Sequence, residues 1–436
     1  MNIIGKSCIL FLWGRQSIAC AKSVGGDPLS RRCASTCLRA SPTEYSEYIC
    51  DIDAEPLHRY RPGGYHAVRL GDILNDGRYK ILHKLGWGGY STVWAARDLK
   101  DDRYVALKIM VSDPEKCSQE SKVMEAINAT GSGHPGFQHL LSMMNHFHLN
   151  GPNGTHNCLV LELLGPSVAE LVERRYSDER LPGALAKSIA RQALLGLDCL
   201  HEHKIAHGDL HTRNLLFTIP SIQGLQEQEL LAKLKPPETA IVKRKDGKVL
   251  CPGVPEYLVR PTCYPAERSL STQRIKIADF GESFLGNEVA ERLHTPLVVR
   301  APEAIFGDRL DYRVDLWSMG CMLFELVTGQ PPFDSIMIKP VSLVSQMLET
   351  TGEDLPERWK PTWHIMNGIN PNAESGITLQ DWLEEVYFHD GKKVDFGKED
   401  ILKLGKLVHI MLRFEPPARA SARDILNDPW FQLELP

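Results

Sequence analysis

HGDLHTRNLLF (residues 207–217) and IKIADFG (residues 275–281) are the two stretches on which the reading of this chain turns. In the first, Asp209 stands five residues before Asn214. At that spacing a carboxylate can accept a proton from a hydroxyl while a nearby amide oxygen reaches a metal ion. In the second, Asp279 follows an apolar run that reads as a strand, and its carboxylate suits a hard cation such as Mg2+. A lone carboxylate is usually solvated surface. Two acids and an amide, both in a strand–loop context, are much harder to dismiss that way.

Upstream, LGWGGYSTVW (85–94) sets Gly86, Gly88 and Gly89 after a strand-like run, where the lack of a Cβ lets backbone N–H groups approach phosphate oxygens. An ordinary hairpin explains three glycines about as well, but VALK (105–108) follows. It ends on Lys108, a charge among apolar neighbours that is costly unless paired. YKILHKLG (79–86), STVWAARDL (91–99), RYVALKIM (103–110) and NCLVLELLG (157–165) are rich in β-branched and aromatic residues and punctuated by Gly or Asp. They predict an antiparallel sheet, with a helix at about 118–128. Beyond residue 165 the pattern turns helical. Ile189, Ala193, Leu197 and Leu200 share a face opposite Lys187, Arg191 and Asp198, predicting an amphipathic helix over 186–201, and 316–327 is apolar nearly all round, as in a buried helix. A small sheet-rich lobe is thus followed by a larger helical one.

At 436 residues, 43% hydrophobic and 24% charged, the chain can fill one large two-lobed domain. Its net charge of -5 gives no whole-molecule attraction to nucleic acid or to an anionic membrane, and no apolar run is long enough for a span. Cysteines number 11, an odd count, and Cys117, Cys158, Cys199, Cys251, Cys263 and Cys321 lack CxxC spacing, which indicates a reducing compartment and no metal cluster. The leader, residues 1–44, carries up to Arg39 the cations Lys6, Arg15, Lys22, Arg31, Arg32 and Arg39 against one acid, Asp27, the composition of a mitochondrial transit peptide. The competing and preferred expectation is a basic leader of a cytoplasmic or nuclear protein. Residues 45–78 read as an extension of the first lobe. Residues 218–272, rich in Gln, Glu, Lys and Pro, read as an insertion, partly helical near 226–234, that loops out between the two site segments.

The order of these segments resembles that of the eukaryotic protein kinases, over about 79–431. APE (301–303), DLWSMG (315–320) and PPARASARDILNDPWF (416–431) match landmarks of that family's helical lobe. The resemblance implies a Glu303–Arg419 pair, and an Asp315 that caps the buried helix and holds the catalytic-loop backbone. Within the kinases, GGYHAVRLGDILNDGRYKILHKLGWGGYSTVW (63–94) is similar to the SR-protein kinase group, particularly its fungal-type divergent members. The implied fold is α+β and bilobal, with ATP and Mg2+ between the lobes. Lys108 would bind the α- and β-phosphates, held by Glu120, with Glu115 and Glu125 as alternative registers. Asp209 would be the catalytic base, and Asn214 and Asp279 the metal ligands. Glu162 to Leu164 would form the hinge that reads the adenine edge, with Leu161 guarding the pocket behind it, and Leu85, Gly86, Gly88, Gly89, Ser91, Val93 and Ala106 would line the nucleotide site. The implied activity is γ-phosphate transfer to serine or threonine of a protein, Arg-Ser-rich splicing-type proteins in that group, by a monomer. A scaffold without turnover is the competing class, but it has no need of the complete set Lys108, Asp209, Asn214 and Asp279. Small-molecule phosphotransferases share HGDLH and lack the APE and closing segments.

Four departures qualify the resemblance. Ser91 takes the third glycine position, Gly208 replaces the arginine of H-R-D, and His211 stands where serine/threonine kinases carry lysine. Arg213 and Pro296 match tyrosine-kinase positions and leave a tyrosine acceptor open. His211 either fills space or bonds the γ-phosphate. Between Asp279 and Glu303 the hydroxyl side chains are Ser283 and Thr295, so activity is expected not to require phosphorylation of that segment. After Pro332, Asp334, Glu349, Glu353, Asp354 and Glu357 stand against Lys339, Arg358 and Lys360, a modest acidic bias.

Overall fold

The β-branched and aromatic runs of the first lobe pair as expected, and the sheet is larger than they predict. A computed structural model of the chain describes residues 47–432, other than 132, 177–179, 220–221, 266–273, 287, 289, 291, 335–338, 369–375, 390–393 and the side chains of 114–118. In it Ile73–Leu74, Tyr79–Gly88, Ser91–Asp98, Arg103–Met110, Gly154–Glu162 and Met143–Gly151 form, in that order, a six-stranded antiparallel sheet. Met143–Gly151 escaped the sequence reading because it is an edge strand carrying Asn145, His146 and His148, polar residues that an edge tolerates. The helix Pro114–Thr130 starts earlier than expected; proline suits a first helical position because its missing N–H would lack a partner there anyway.

Alternation along Arg103–Met110 divides the sheet between two cores. Tyr104 and Ala106 join the main cluster that runs into the helical lobe, while Val105, Leu107 and Ile109 face the opposite way, with Tyr79, Ile81 and Trp94. The helical lobe is built on Gly183–Glu202 and Val314–Thr328, close to their predicted spans. Every residue of Val314–Thr328 except Glu325 is buried, and Gly329 ends the helix in a left-handed conformation. Behind it Arg419 donates to both oxygens of Glu303, each at 2.6 Å, in a fully buried pair. The leader lies outside the described residues.

The described residues of 218–272, which end at 265, do not loop out. The expected helix is present at Glu227–Leu234, but Thr239–Ile241 also pairs with Tyr257–Val259, and Lys243–Arg244 pairs with Tyr48–Ile49 of the extension. Val259 enters the Tyr79–Ile81–Trp94 core beside Val68, and Val242 and Leu258 pack with Leu57, Tyr60, Tyr65 and Val111. Lys80 pairs with Glu227 at 2.7 Å. The extension is bound just as closely: buried Lys84 pairs with buried Glu55, which also accepts from the Tyr60 hydroxyl. Strands of two or three residues carry no measurable period, and their apolar partners are far away in sequence, so turn residues dominated the sequence pattern.

Candidate active site

Lys108 stands on the strand Arg103–Met110, opposite Val93 and Leu159. Its Nζ donates to Glu120 Oε1 at 2.7 Å and to Asp279 Oδ1 at 2.9 Å. Burial works against the ammonium, but the two carboxylates outweigh it and hold Lys108 well above the ordinary lysine range. Asp279 shows the reverse: chiefly the Lys108 charge holds its carboxyl down at about 2. Burial pushes Glu120 up, with Lys108 opposing. The structure thus selects Glu120. Glu125 faces His146 at 3.6 Å on the surface, and the Glu115 side chain lies outside the described residues. Asp279 has φ 62°, a left-handed conformation uncommon for non-glycine residues, which Asn75, Asp76, Asp102, Lys204 and Lys235 also adopt.

Asp209 and Asn214 are brought together by a short turn, Thr212–Asn214. Asn214 Nδ2 donates to the Asp209 carbonyl at 2.8 Å, so the amide oxygen is the end left to meet a cation. Asp209 Oδ1 is buried without a hydrogen-bond partner, as is Glu120 Oε2. His211 Nδ1 accepts from the Arg213 N–H at 3.2 Å and caps this turn, while Nε2 lies 3.5 Å from Asp209 Oδ2. His211 therefore positions the loop in addition to filling space. Arg213 is drawn 2.6 Å from Glu173 on the helix Val168–Arg175, which gives the tyrosine-kinase-like residue a structural role.

The loop ahead of Asp209 is held from both sides. Asp315 accepts from the N–H groups of His207 and Gly208, each at 2.8 Å, and from His201 at 3.0 Å. It does not cap its helix as expected; Arg313 is the N-cap residue, and the first-turn amides bond to the carbonyls of Asp311, Tyr312 and Arg313 instead. From the other side, Ser283 donates to the His207 carbonyl at 2.8 Å and Thr295 to the Gly208 carbonyl at 2.6 Å. No spacing rule identifies these two hydroxyls as loop supports. Gly208 has φ +79, and a Cβ there would stand 2.5 Å from the Glu282 carbonyl oxygen, which accounts for glycine in this motif.

In the glycine-rich hairpin Gly86 faces Val93 and Gly88 faces the largely buried Ser91. A Cβ added at Gly86, Gly88 or Gly89 would meet nothing within 4 Å, so room, rather than chain packing, is what the glycines provide. Leu85, Val93, Ala106, Leu161 and Leu164 belong to one apolar cluster between hairpin and hinge. The Glu162 side chain is spent on the Ser142 amide at 2.8 Å and Lys276 at 2.5 Å, which leaves the backbone to serve as the hinge. Hard oxygen donors at Asp209, Asn214 and Asp279, an ammonium between two acids and an open glycine turn together fit Mg2+ and a polyphosphate.

Such a two-lobed site defines a phosphotransferase of the kinase class. The chain belongs to the protein kinase family: the Protein kinase domain matches residues 79–227 and 268–431, interrupted where the insertion departs. It is similar to the serine/threonine-protein kinase SRPK of Physarum polycephalum, 29% identical over 412 residues that cover 88% of this chain and 92% of the relative. It is likewise similar to protein kinase dsk1 of Schizosaccharomyces pombe, 27% identical over 475 residues covering 87% and 85%. SRSF protein kinase 3 of Homo sapiens is 34% identical over 215 residues, 47% of this chain and 37% of the relative. The chain is thus an SR-protein-kinase-like member of the eukaryotic protein kinases.

Proposed function

We propose that the chain transfers the γ-phosphate of Mg-ATP to serine or threonine hydroxyls of Arg-Ser-rich proteins. The observation that carries this reading is the assembled set: Lys108 between Glu120 and Asp279, with Asp209 and Asn214 on one short turn. Lys108 orients the α- and β-phosphates, its direction fixed by Glu120. Asp209 accepts the substrate proton, and the hinge at Glu162 and Leu164 reads adenine against the walls made by Leu85, Val93 and Ala106. Asp279 and Asn214 would hold Mg2+, which would supply charge neutralisation at the phosphates. Catalysis in such a site is positioning and electrostatic stabilisation.

The Arg-Ser class is supported by the relatives, among them an SRSF protein kinase, more than by local charge. In the segment after Pro332, Glu353 pairs with Arg413 and Glu357 with Lys360, while Arg358 is taken up by Asp308 and Glu415, so two of the five acids already hold a cation. The test is an assay with Mg-ATP against Arg-Ser peptides, generic basic proteins and tyrosine peptides, with phosphoamino-acid readout. Phosphoserine on the Arg-Ser peptide, lost in Asp209→Asn and Lys108→Met, is the expected result. No transfer by the wild type would favour a scaffold. The proposed location is cytoplasm or nucleus. Fusing residues 1–44 to a fluorescent protein tests it, and delivery to mitochondria would overturn it.

A further inference from the structure

The glycine-rich hairpin is gripped from outside by the extension. The Tyr65 hydroxyl donates to the Gly88 carbonyl at 2.6 Å, and the Arg59 guanidinium donates to the Gly89 carbonyl. Tyr65 is 1% exposed, its ring edge-on to Tyr60 at 5.6 Å and 5.2 Å from the Arg59 guanidinium carbon. Its N–H bonds the Arg59 carbonyl at 2.9 Å, and its own carbonyl accepts from Asn153 at 2.7 Å. Gly64 makes the turn between the two donors; a Cβ there would lie 1.8 Å from the Arg59 oxygen. Arg59 and Tyr65 are therefore one rigid element rather than surface side chains meeting the hairpin by chance.

In a planar trans peptide the N–H points opposite to the C=O. Holding the carbonyls of Gly88 and Gly89 against the extension thus fixes the N–H groups of Gly89 and Tyr90 pointing away from it, at the tip where a phosphate chain arrives. Glycine pays the largest entropic cost of any residue when fixed, so pre-setting this tip removes a cost that binding would otherwise bear. We propose that Arg59 and Tyr65 are positioning residues for the nucleotide: they pre-form the phosphate-binding amides, tightening ATP and slowing ADP release. The Protein kinase domain match begins at residue 79, so both donors lie outside that domain, Tyr65 within the 63–94 stretch that resembles the SR-protein kinase group. The inference rests on reading the hairpin as the phosphate site.

The test measures ADP affinity by calorimetry, KM for ATP, kcat and melting temperature in the full chain. Tyr65→Phe keeps the ring and loses one donor, and is expected to raise the ADP Kd and the ATP KM about five-fold; Arg59→Met, which loses a charged donor, raises them about ten-fold or more. In both, kcat stays within about two-fold of wild type or rises, as for a lost binding contact. Tyr60→Phe, bonded to Glu55 and not to the hairpin, is the structural control: it lowers the melting temperature and leaves KM unchanged. Unchanged nucleotide affinity in both Tyr65→Phe and Arg59→Met, with the wild type binding ADP, overturns the clamp alone. Wild type that binds neither ATP nor ADP overturns the clamp and the phosphate-site reading together.

Discussion

Thr295 is where the structure makes its sharpest prediction about control. Its hydroxyl, 3% exposed, donates to the Gly208 carbonyl, while Asp315 holds the Gly208 N–H from the other side. Ser283, 2% exposed, does the same for His207. The two residues ahead of Asp209 are thus fixed at both N–H and C=O without any phosphate. Replacing Thr295 with valine keeps the shape and leaves the Gly208 carbonyl unsatisfied, which costs about 1–3 kcal/mol. If the whole cost is felt in the transition state, kcat/KM falls by a factor of about 5 to 150. Ser283→Ala falls in the same range, and the double variant loses less than the sum because both hydroxyls hold one loop. Thr295→Glu inactivates, because it removes the donor and buries a charge. The assay is steady-state peptide phosphorylation before and after phosphatase treatment, with phosphates mapped by mass spectrometry. Activity abolished by phosphatase and restored by Thr295→Glu, or full activity in Thr295→Val, would refute the reasoning.

Three further outcomes are expected. Arg419→Met strands the buried Glu303 carboxylate and destabilises the helical lobe by about 3–5 kcal/mol in urea melts, and adding Glu303→Leu recovers part of the loss; an unchanged midpoint in Arg419→Met contradicts this. His66, packed against His156 with ring centroids 4.9 Å apart, is held down at about 4 by burial and secondarily by His156. Because the folded value lies below the ordinary 6.5, the unfolded chain takes up its proton first as pH falls. Stability should therefore drop between about 6.5 and about 4, and His66→Gln should flatten that limb; identical slopes would exclude a role for His66. Val259→Ala, the insertion's own residue in the Tyr79–Ile81–Trp94 core, should cost about 1.5 kcal/mol before any cavity term, and no cost would mean that the insertion contributes nothing to that core.

Much of the site was legible because phosphoryl transfer constrains residue type and spacing together. Lys108, Asp209, Asn214 and Asp279 could be named from local sequence, since each sits at a strand end or in a loop with a recognisable neighbour. Glu120 is favoured through the family resemblance, with Glu115 and Glu125 as alternative registers, because nothing along one helix says which turn faces a lysine on another strand. Supports acting through the backbone were harder still. Ser283 and Thr295 were noticed as hydroxyls, but their use as donors to His207 and Gly208 depends on two loops meeting in space. Of the two roles expected for Asp315, the hold on the catalytic-loop backbone is present and the helix cap is not. His211 and Arg213 looked like departures in substrate choice, whereas the structure uses them for a turn cap and an ion pair. The insertion and its helix were legible, but its packing against the first lobe was not, because its apolar residues are few and paired across great sequence distances.

The way the extension and the insertion complete the first lobe bears on how the chain is made. Tyr79, Ile81 and Trp94 leave the ribosome well before Val259, which covers part of their face, and Tyr48–Ile49 must wait for Lys243–Arg244. During synthesis the sheet therefore emerges with an apolar surface that its own later residues must return to cover. Such non-local closure slows folding and exposes the nascent chain to aggregation and chaperone capture. A fragment starting at residue 79, where the family match begins, would keep Val259 but lose Glu55 for Lys84, Val68 from the core and Tyr48–Ile49 for Lys243–Arg244, and would emerge with a stranded ammonium beside a partly uncovered apolar face rather than as a minimal enzyme.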